Sequence, residues 1–264
     1  MYSDTHLHSY FSGDSETPPP EQIEKAIALG METMCFTDHD DHDVVSDIDF
    51  ELKIPEYIAE MRSLREQYSG RIEILTGIEL GLKTDIPDHL REVSENDSFD
   101  QIIGSVHFIA GLDPYYPEYF LKFSASSYRT YFDTVLECLE LHRHFDTLGH
   151  LDYIARYGGP YGLTYSYREY ADSIDPILKK VIDCGKALEC NTGGMSRGLS
   201  DPNPSFDVLR RYKELGGEFI TLGSDAHSPD TLGYEFDKVG DILKSIGFRY
   251  YAVFRNRKPC MYPL

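Results

Sequence analysis

Basic residues are scarce in this chain. Twenty-five lysines and arginines stand against 45 aspartates and glutamates, a formal net charge of −20. A folded surface that negative repels phosphate backbones and anionic membranes, so nucleic acid is not expected as a partner. No apolar window approaches the roughly eighteen residues a membrane span needs, and no basic stretch leads into an apolar run at the start. A soluble, unexported, cytoplasmic protein with no membrane partner is expected. The five cysteines, Cys35, Cys138, Cys184, Cys190 and Cys260, form no C-x-x-C pair. Four of them fall inside apolar segments, which reads as reduced thiols. Linkers, low-complexity segments and internal repeats are also lacking, so the 264 residues are expected to form one domain, residues 1–264, long enough to bury a core.

What the chain does have is strict alternation. Short apolar runs read as strands at 3–7, 33–37, 71–78, 102–106, 146–149, 187–190 and 218–222. Helical periodicity fills the gaps. Ile23, Ala26 and Ile27 share a face up to Gly30; Ile54, Tyr57, Ile58, Met61 and Leu64 share one up to Gly70. The same spacing recurs at Tyr128, Tyr131, Phe132, Val135 and Leu139, at Tyr170, Ile174, Leu178 and Val181, at Phe206, Leu209 and Tyr212, and at Val239, Ile242, Leu243 and Ile246. Residues 85–97 read as a short acidic surface helix and loop, 153–167 as a loop rich in glycine and tyrosine, and 250–254 as one more strand. Such alternation gives an α/β fold of parallel strands covered by helices. About seven units close or nearly close a TIM-like barrel, whose site lies at the carboxyl ends of the strands.

Six of the seven predicted strands end on a histidine, aspartate or glutamate. In the first, Asp4, His6 and His8 alternate onto one side and are expected to converge. With the later strand ends, the candidates are His6, His8, Asp14, His39, Glu79, His107, His150, Asp225 and His227. Gathering these groups in an apolar funnel would cost many kcal/mol in desolvation and repulsion unless cations compensated them. The pattern therefore predicts a multinuclear metal centre of nitrogen and oxygen ligands. No cysteine joins it, which leaves metals such as zinc, iron or manganese.

The H-x-H strand, the turn Thr37-Asp38-His39, the isolated Glu79, His107 and His150 and the closing Asp225-Ala226-His227 together resemble the polymerase and histidinol phosphatase (PHP) family, in order and over essentially the whole chain. Within it, the Gly149-His150-Leu151-Asp152 turn and the Asn191-Thr192-Gly193-Gly194 loop look like the monofunctional histidinol-phosphate phosphatases. The resemblance implies a distorted seven-stranded β/α barrel with three divalent metal ions. It implies His6, His8, Glu79 and Asp225 on the first, Glu79, His107 and His150 on the second with Glu79 bridging, and Asp14, His39 and His227 on the third. Asp14 stands where other branches carry histidine, which makes the third site harder and more anionic.

The implied substrate is L-histidinol phosphate, a step of histidine biosynthesis, cleaved by hydroxide shared between the first two metals. The alternatives are a phosphoesterase of the same fold acting on a small nucleotide or other phosphate monoester, and a non-catalytic metal-binding scaffold. Either a monomer or a homodimer is compatible with a small-molecule substrate. Arg156 and Arg197 are candidates to grip the phosphate, since planar guanidinium groups suit it. His42, in the acidic run 40–43, is the candidate proton donor to the leaving group. Asp40, Asp41 and Asp43 with Tyr115, Tyr116, Tyr161 or Tyr234 are expected to hold the substrate's cationic end. His89, His142 and His144 are expected on the surface.

Overall fold

In the computed structural model, which describes residues 2–264, each apolar run is a parallel strand and each amphipathic stretch a helix packed outside it. The strands are β1 (Asp4–Leu7), β2 (Thr33–Phe36), β3 (His39–Asp40), β4 (Glu73–Gly81), β5 (Gln101–Ser105), β6 (Thr147–Leu148), β7 (Ala187–Asn191) and β8 (Ile220–Gly223). The longer helices are α1 (Pro19–Ala28), α2 (Ile54–Gln67), α3 (Pro87–Ser94), α4 (Pro117–Phe123), α5 (Ser127–Leu141), α6 (Tyr167–Asp183), α8 (Phe206–Glu214) and α9 (Phe236–Ile246), with α7 (Gly193–Ser196) a single turn. Prolines 19 and 20 open α1, where a missing N–H costs nothing. Gly185, at φ +64°, ends α6 in the left-handed conformation that glycine adopts without strain.

The sheet runs β1-β2-β4-β5-β6-β7-β8. β2 and β3 both lie against β4 and are two pieces of one barrel position, so the wall has seven. It nearly closes where β8 returns to β1: Leu7 bridges Ala226, the Asp225 N–H donates to His6 O at 2.8 Å, and the His8 N–H donates to Ala226 O at 2.9 Å. Enclosed on both faces, the strands are buried almost throughout.

Three segments depart from the sequence expectation. β4 continues to Gly81, so Glu79 lies inside the strand rather than ending it. The acidic stretch 85–97 is not merely surface, because α3 buries Leu90 and Val93. The expected final strand is half of a hairpin, β9 (Tyr250–Arg255) and β10 (Lys258–Pro263), antiparallel and separate from the barrel sheet. It covers the amino ends of the barrel strands: Arg255 pairs with Glu73, Arg257 Nε donates to Asp146 Oδ2 at 2.5 Å, and the Tyr251 hydroxyl accepts the Ser3 N–H at 3.1 Å. The opposite end stays open. No helix among the described residues is long and apolar enough to cross a membrane.

Candidate metal centre

The strand ends at the open face bring the nine candidates together. The donor atoms of His6, His8, His39, Glu79, His107, His150, Asp225 and His227 form overlapping groups within 4.8 Å, and Asp14 Oδ2 joins through His227 Nε2 at 3.1 Å. Glu79 is central and fully buried. Its Oε2 faces His6 Nε2 at 3.2 Å, His8 Nε2 at 3.5 Å and His39 Nδ1 at 3.0 Å. Its Oε1 faces His150 Nε2 at 2.8 Å and His107 Nε2 at 3.3 Å. His6 Nε2 and His8 Nε2 are 3.1 Å apart, and Asp225 Oδ1 is 3.4 Å from the latter. Bonds of about 2.0–2.2 Å separate neighbouring tetrahedral donors by about 3.4 Å, so this spacing suits ligands arranged around common cations. His39 departs from a simple partition: its Nε2 lies 3.8 Å from Asp14 while its Nδ1 looks to Glu79, so its ring spans two groups.

Side chains behind the imidazoles select their tautomers. Carboxylates and carbonyl oxygens only accept, so each assigns a proton to the nitrogen it touches. His6 Nδ1 lies 2.6 Å from Glu189 Oε1, His107 Nδ1 3.0 Å from Asp41 Oδ1, and His227 Nδ1 2.9 Å from Asp225 O. The Ser12 hydroxyl donates to Asp38 Oδ1 at 2.8 Å, which leaves it to accept from His8 Nδ1 at 2.9 Å. With that proton on Nδ1, each of the four rings turns its Nε2 into the cluster. In the forms that bind metal, with both rings neutral at Nε2, the lone pairs of His6 and His8 face each other at 3.1 Å and Glu79 Oε2 is buried among the imidazoles of His6, His8 and His39. Those are unfavourable contacts that a cation relieves.

The electrostatics agree. Burial alone would raise the Glu79 carboxyl, but His6, His107 and His39 hold it well below the usual range. Burial opposes charge on His39, yet Glu79 and Asp14 push it up to about 9. The carboxylates stay ionised and draw positive charge inward. The residues present thus fit a divalent-metal centre.

Arg156 enters this cluster from the side. Its Nη1 lies 2.8 Å from Asp225 Oδ2, its Nε donates to Asn203 Oδ1 and its Nη2 to Asn191 Oδ1, both at 2.9 Å. Burial by itself would raise the pKa of Asp225, and this guanidinium keeps it well below the carboxylate range. Asp225 has φ 55°, a left-handed conformation unusual outside glycine. Gly193 allows the neighbouring loop to approach, since a Cβ there would sit 2.8 Å from that of Asp225. Arg197 is more exposed, with Nη1 4.0 Å from Asp225 Oδ2.

A cleft of about 590 Å³ opens over the cluster, and Tyr115, Tyr116, Arg156 and Arg197 line it. Other expected residues lie outside it. His39 and Asp41 point inward while the alternate residues Asp40 and His42 point outward. His42 pairs with Glu51 at 3.0 Å and stacks on His89 at 3.9 Å. Asp40 accepts from the Leu52 N–H at 3.0 Å and lies 2.8 Å from His89 Nε2, and Asp43 is also absent from the cleft wall. Tyr161 stacks on Phe120 at 4.5 Å, and neither it nor Tyr234 lines the cleft. Asp4 shares a side with His6 but stays out of the cluster, because two residues of strand set it back about 7 Å toward the amino end of the barrel. Its carboxylate instead accepts the Ser224 and Gly233 N–H groups at 3.0 and 3.1 Å. Nor is His142 a surface group: it is buried, with Nε2 2.7 Å from Lys83 O. Sequence reasoning missed Glu189, Ser12, Asn191 and Asn203, and assigned Asp41 to the rim. A glutamate inside the apolar run of β7 was the one available signal.

Comparison with known proteins yields the following likenesses. A model of the PHP domain matches residues 4–193. The histidinol-phosphatase of Lactococcus lactis subsp. lactis is 34% identical over 260 residues, covering 97% of this chain and 95% of that protein. A probable histidinol-phosphatase of Clostridium acetobutylicum is 33% identical over 240 residues, covering 89% and 90%. The crystal structure of the Lactococcus lactis histidinol phosphate phosphatase complexed with zinc, L-histidinol and phosphate superposes with a TM-score of 0.86, at 31% identity over 98% of each chain.

Proposed function

Because the chain belongs to the PHP-domain family, we propose that it hydrolyses L-histidinol phosphate to L-histidinol and inorganic phosphate, the chemistry named for its Lactococcus and Clostridium relatives. The observation that carries this reading is the meeting, at one open rim, of nine nitrogen and oxygen donors with a buried arginine beside them.

Three divalent cations, zinc, iron or manganese, match the donor set. His6, His8, Glu79 and Asp225 would hold one, and Glu79, His107 and His150 a second that shares Glu79. Asp14, His39 and His227 would hold the third. Bound there, such cations lower the pKa of water from about 15.7 toward neutrality and offset the charge of a phosphoryl group. Glu189, Asp41, Ser12 and the Asp225 carbonyl keep the proton on each Nδ1, so every paired ring presents Nε2.

Arg156 has one N–H on each terminal nitrogen beyond those committed to Asn191, Asn203 and Asp225. We assign these two to phosphoryl oxygens, in a geometry fixed before substrate arrives. Arg197, at the mouth, closes on the same anion. The cleft volume suits a small monoester. All donors come from one chain, so monomer and homodimer serve equally, and five free cysteines fit the cytoplasm.

The test is steady-state turnover of L-histidinol phosphate, AMP and p-nitrophenyl phosphate by metal-replete enzyme. The highest kcat/KM is expected for histidinol phosphate, and a tenfold preference for AMP would overturn the substrate assignment. His107→Asn should lower both kcat and the bound metal per chain; full activity in that variant removes the second site from the reaction.

A further inference from the structure

Four aspartates line the cleft. Asp14 and Asp41 face imidazole rings and Asp225 faces Arg156, all within ion-pairing distance. Asp113 has no lysine, arginine or histidine that near among the described residues, although it lies inside the same wall.

Its position is fixed by the chain. Ile109 and Leu112 exchange both backbone bonds, at 2.8 and 3.1 Å, around Ala110 and Gly111 at φ 51° and 76°. That tight turn with two left-handed residues folds the segment after His107 back over the cleft. The Asp113 Oδ1 then accepts the Tyr115 N–H at 2.8 Å and the Tyr153 hydroxyl at 3.2 Å, while Oδ2 accepts no hydrogen bond among the described residues.

Aromatic rings stand around it. Tyr115 is edge-on to Tyr116 at 5.0 Å and to Tyr157 at 5.5 Å, and Tyr157 meets Tyr153 at 5.1 Å. A carboxylate with an unengaged oxygen between tyrosine rings recognises an organic cation or a planar ring bearing N–H groups, through ion pairing and cation-π contact. Burial already raises the Asp113 carboxyl, so an incoming cation relieves a desolvated charge.

We propose that Asp113 is the specificity-determining residue of the cleft, pairing with the cationic nitrogen of the leaving alcohol while Tyr115, Tyr116 and Tyr157 enclose that end. The assignment rests on the phosphatase reading above and names the half of the substrate that the metals and arginines do not touch.

The experiment is Asp113→Asn, with Asp113→Glu as the charge-retaining control, all metal-replete. The ratio of kcat/KM for L-histidinol phosphate to that for p-nitrophenyl phosphate should fall at least tenfold in Asp113→Asn. Asp113→Glu should restore part of it. As a product inhibitor, L-histidinol should weaken at least tenfold in the asparagine variant, and inorganic phosphate by less than threefold. A ratio within twofold of the unsubstituted enzyme, whether both activities persist or both drop together, overturns the role of Asp113. Failure of the unsubstituted enzyme to turn over L-histidinol phosphate while it cleaves p-nitrophenyl phosphate would instead overturn the reading beneath it.

Discussion

Glu189→Gln probes the support behind the metal centre without changing side-chain shape. Glu189 is fully buried: Oε1 lies 2.6 Å from His6 Nδ1, and Oε2 accepts the His150 N–H at 2.8 Å and the Asn191 amide at 3.1 Å. Glutamine supplies one oxygen and one NH2. If its oxygen serves His6, its NH2 confronts two donors. Reversed, the NH2 requires His6 Nδ1 to accept, which moves the ring proton to Nε2 and turns a donor lone pair into an N–H. The first arrangement leaves buried donors unpaired at about 1–3 kcal/mol, and the second forfeits a charge-assisted bond of about 1.5–3 kcal/mol. At about 1.4 kcal/mol per factor of ten, either translates to roughly 10–100-fold in metal affinity. Titration against a chelator such as dipicolinate, with kcat/KM measured on the same samples, reads the loss. Metal affinity and kcat/KM both within twofold of the parent would refute the tautomer argument.

The two arginines should differ. Arg156→Ala strands the buried Asp225 carboxylate, a defect of about 3–5 kcal/mol, and should lower kcat/KM by three orders of magnitude or more with a lower Tm; Arg197→Ala, at an exposed side chain, should lower it about tenfold, chiefly through KM. Steady-state kinetics showing equal losses would contradict the division of labour. Outside the site, the hydrogen bond to Asp40 raises the pKa of His89 against partial burial. A histidine so raised contributes stability that is complete below the unfolded value of about 6.5 and is lost as pH climbs through the higher folded value. Urea midpoints should therefore drop more between pH 6 and pH 9 for the parent than for His89→Gln, and equal drops would show that the pair is not coupled to folding.

The barrel was legible because buried parallel strands write themselves as apolar runs and covering helices as a 3.6-residue period. The nine donors were legible because histidines are few and most stand just beyond those runs. The supporting acids were not: among 45 acidic residues, nothing local distinguishes Asp41 or Asp113 from a solvated surface group. Their roles arise from contacts such as Asp41 with His107, far apart in sequence. His42 shows the reverse error. The run Asp38-His39-Asp40-Asp41-His42-Asp43 reads as one charged loop near the site, yet strand alternation divides it, sending His39 and Asp41 inward and His42 out to Glu51. The terminal hairpin escaped for another reason: its second strand, with Pro259 and Pro263 and mostly exposed or half-exposed side chains, lacks the apolar signature of a buried strand.

The seam between Leu7 and Ala226 carries a lesson about biogenesis. Asp225 and His227 are synthesised more than two hundred residues after His6 and His8. At about 5–20 residues per second that interval is roughly 10–40 s. Throughout it a nascent polypeptide holds only an open part of the donor set, and the full cage exists only once the last parallel strand has zipped onto the first.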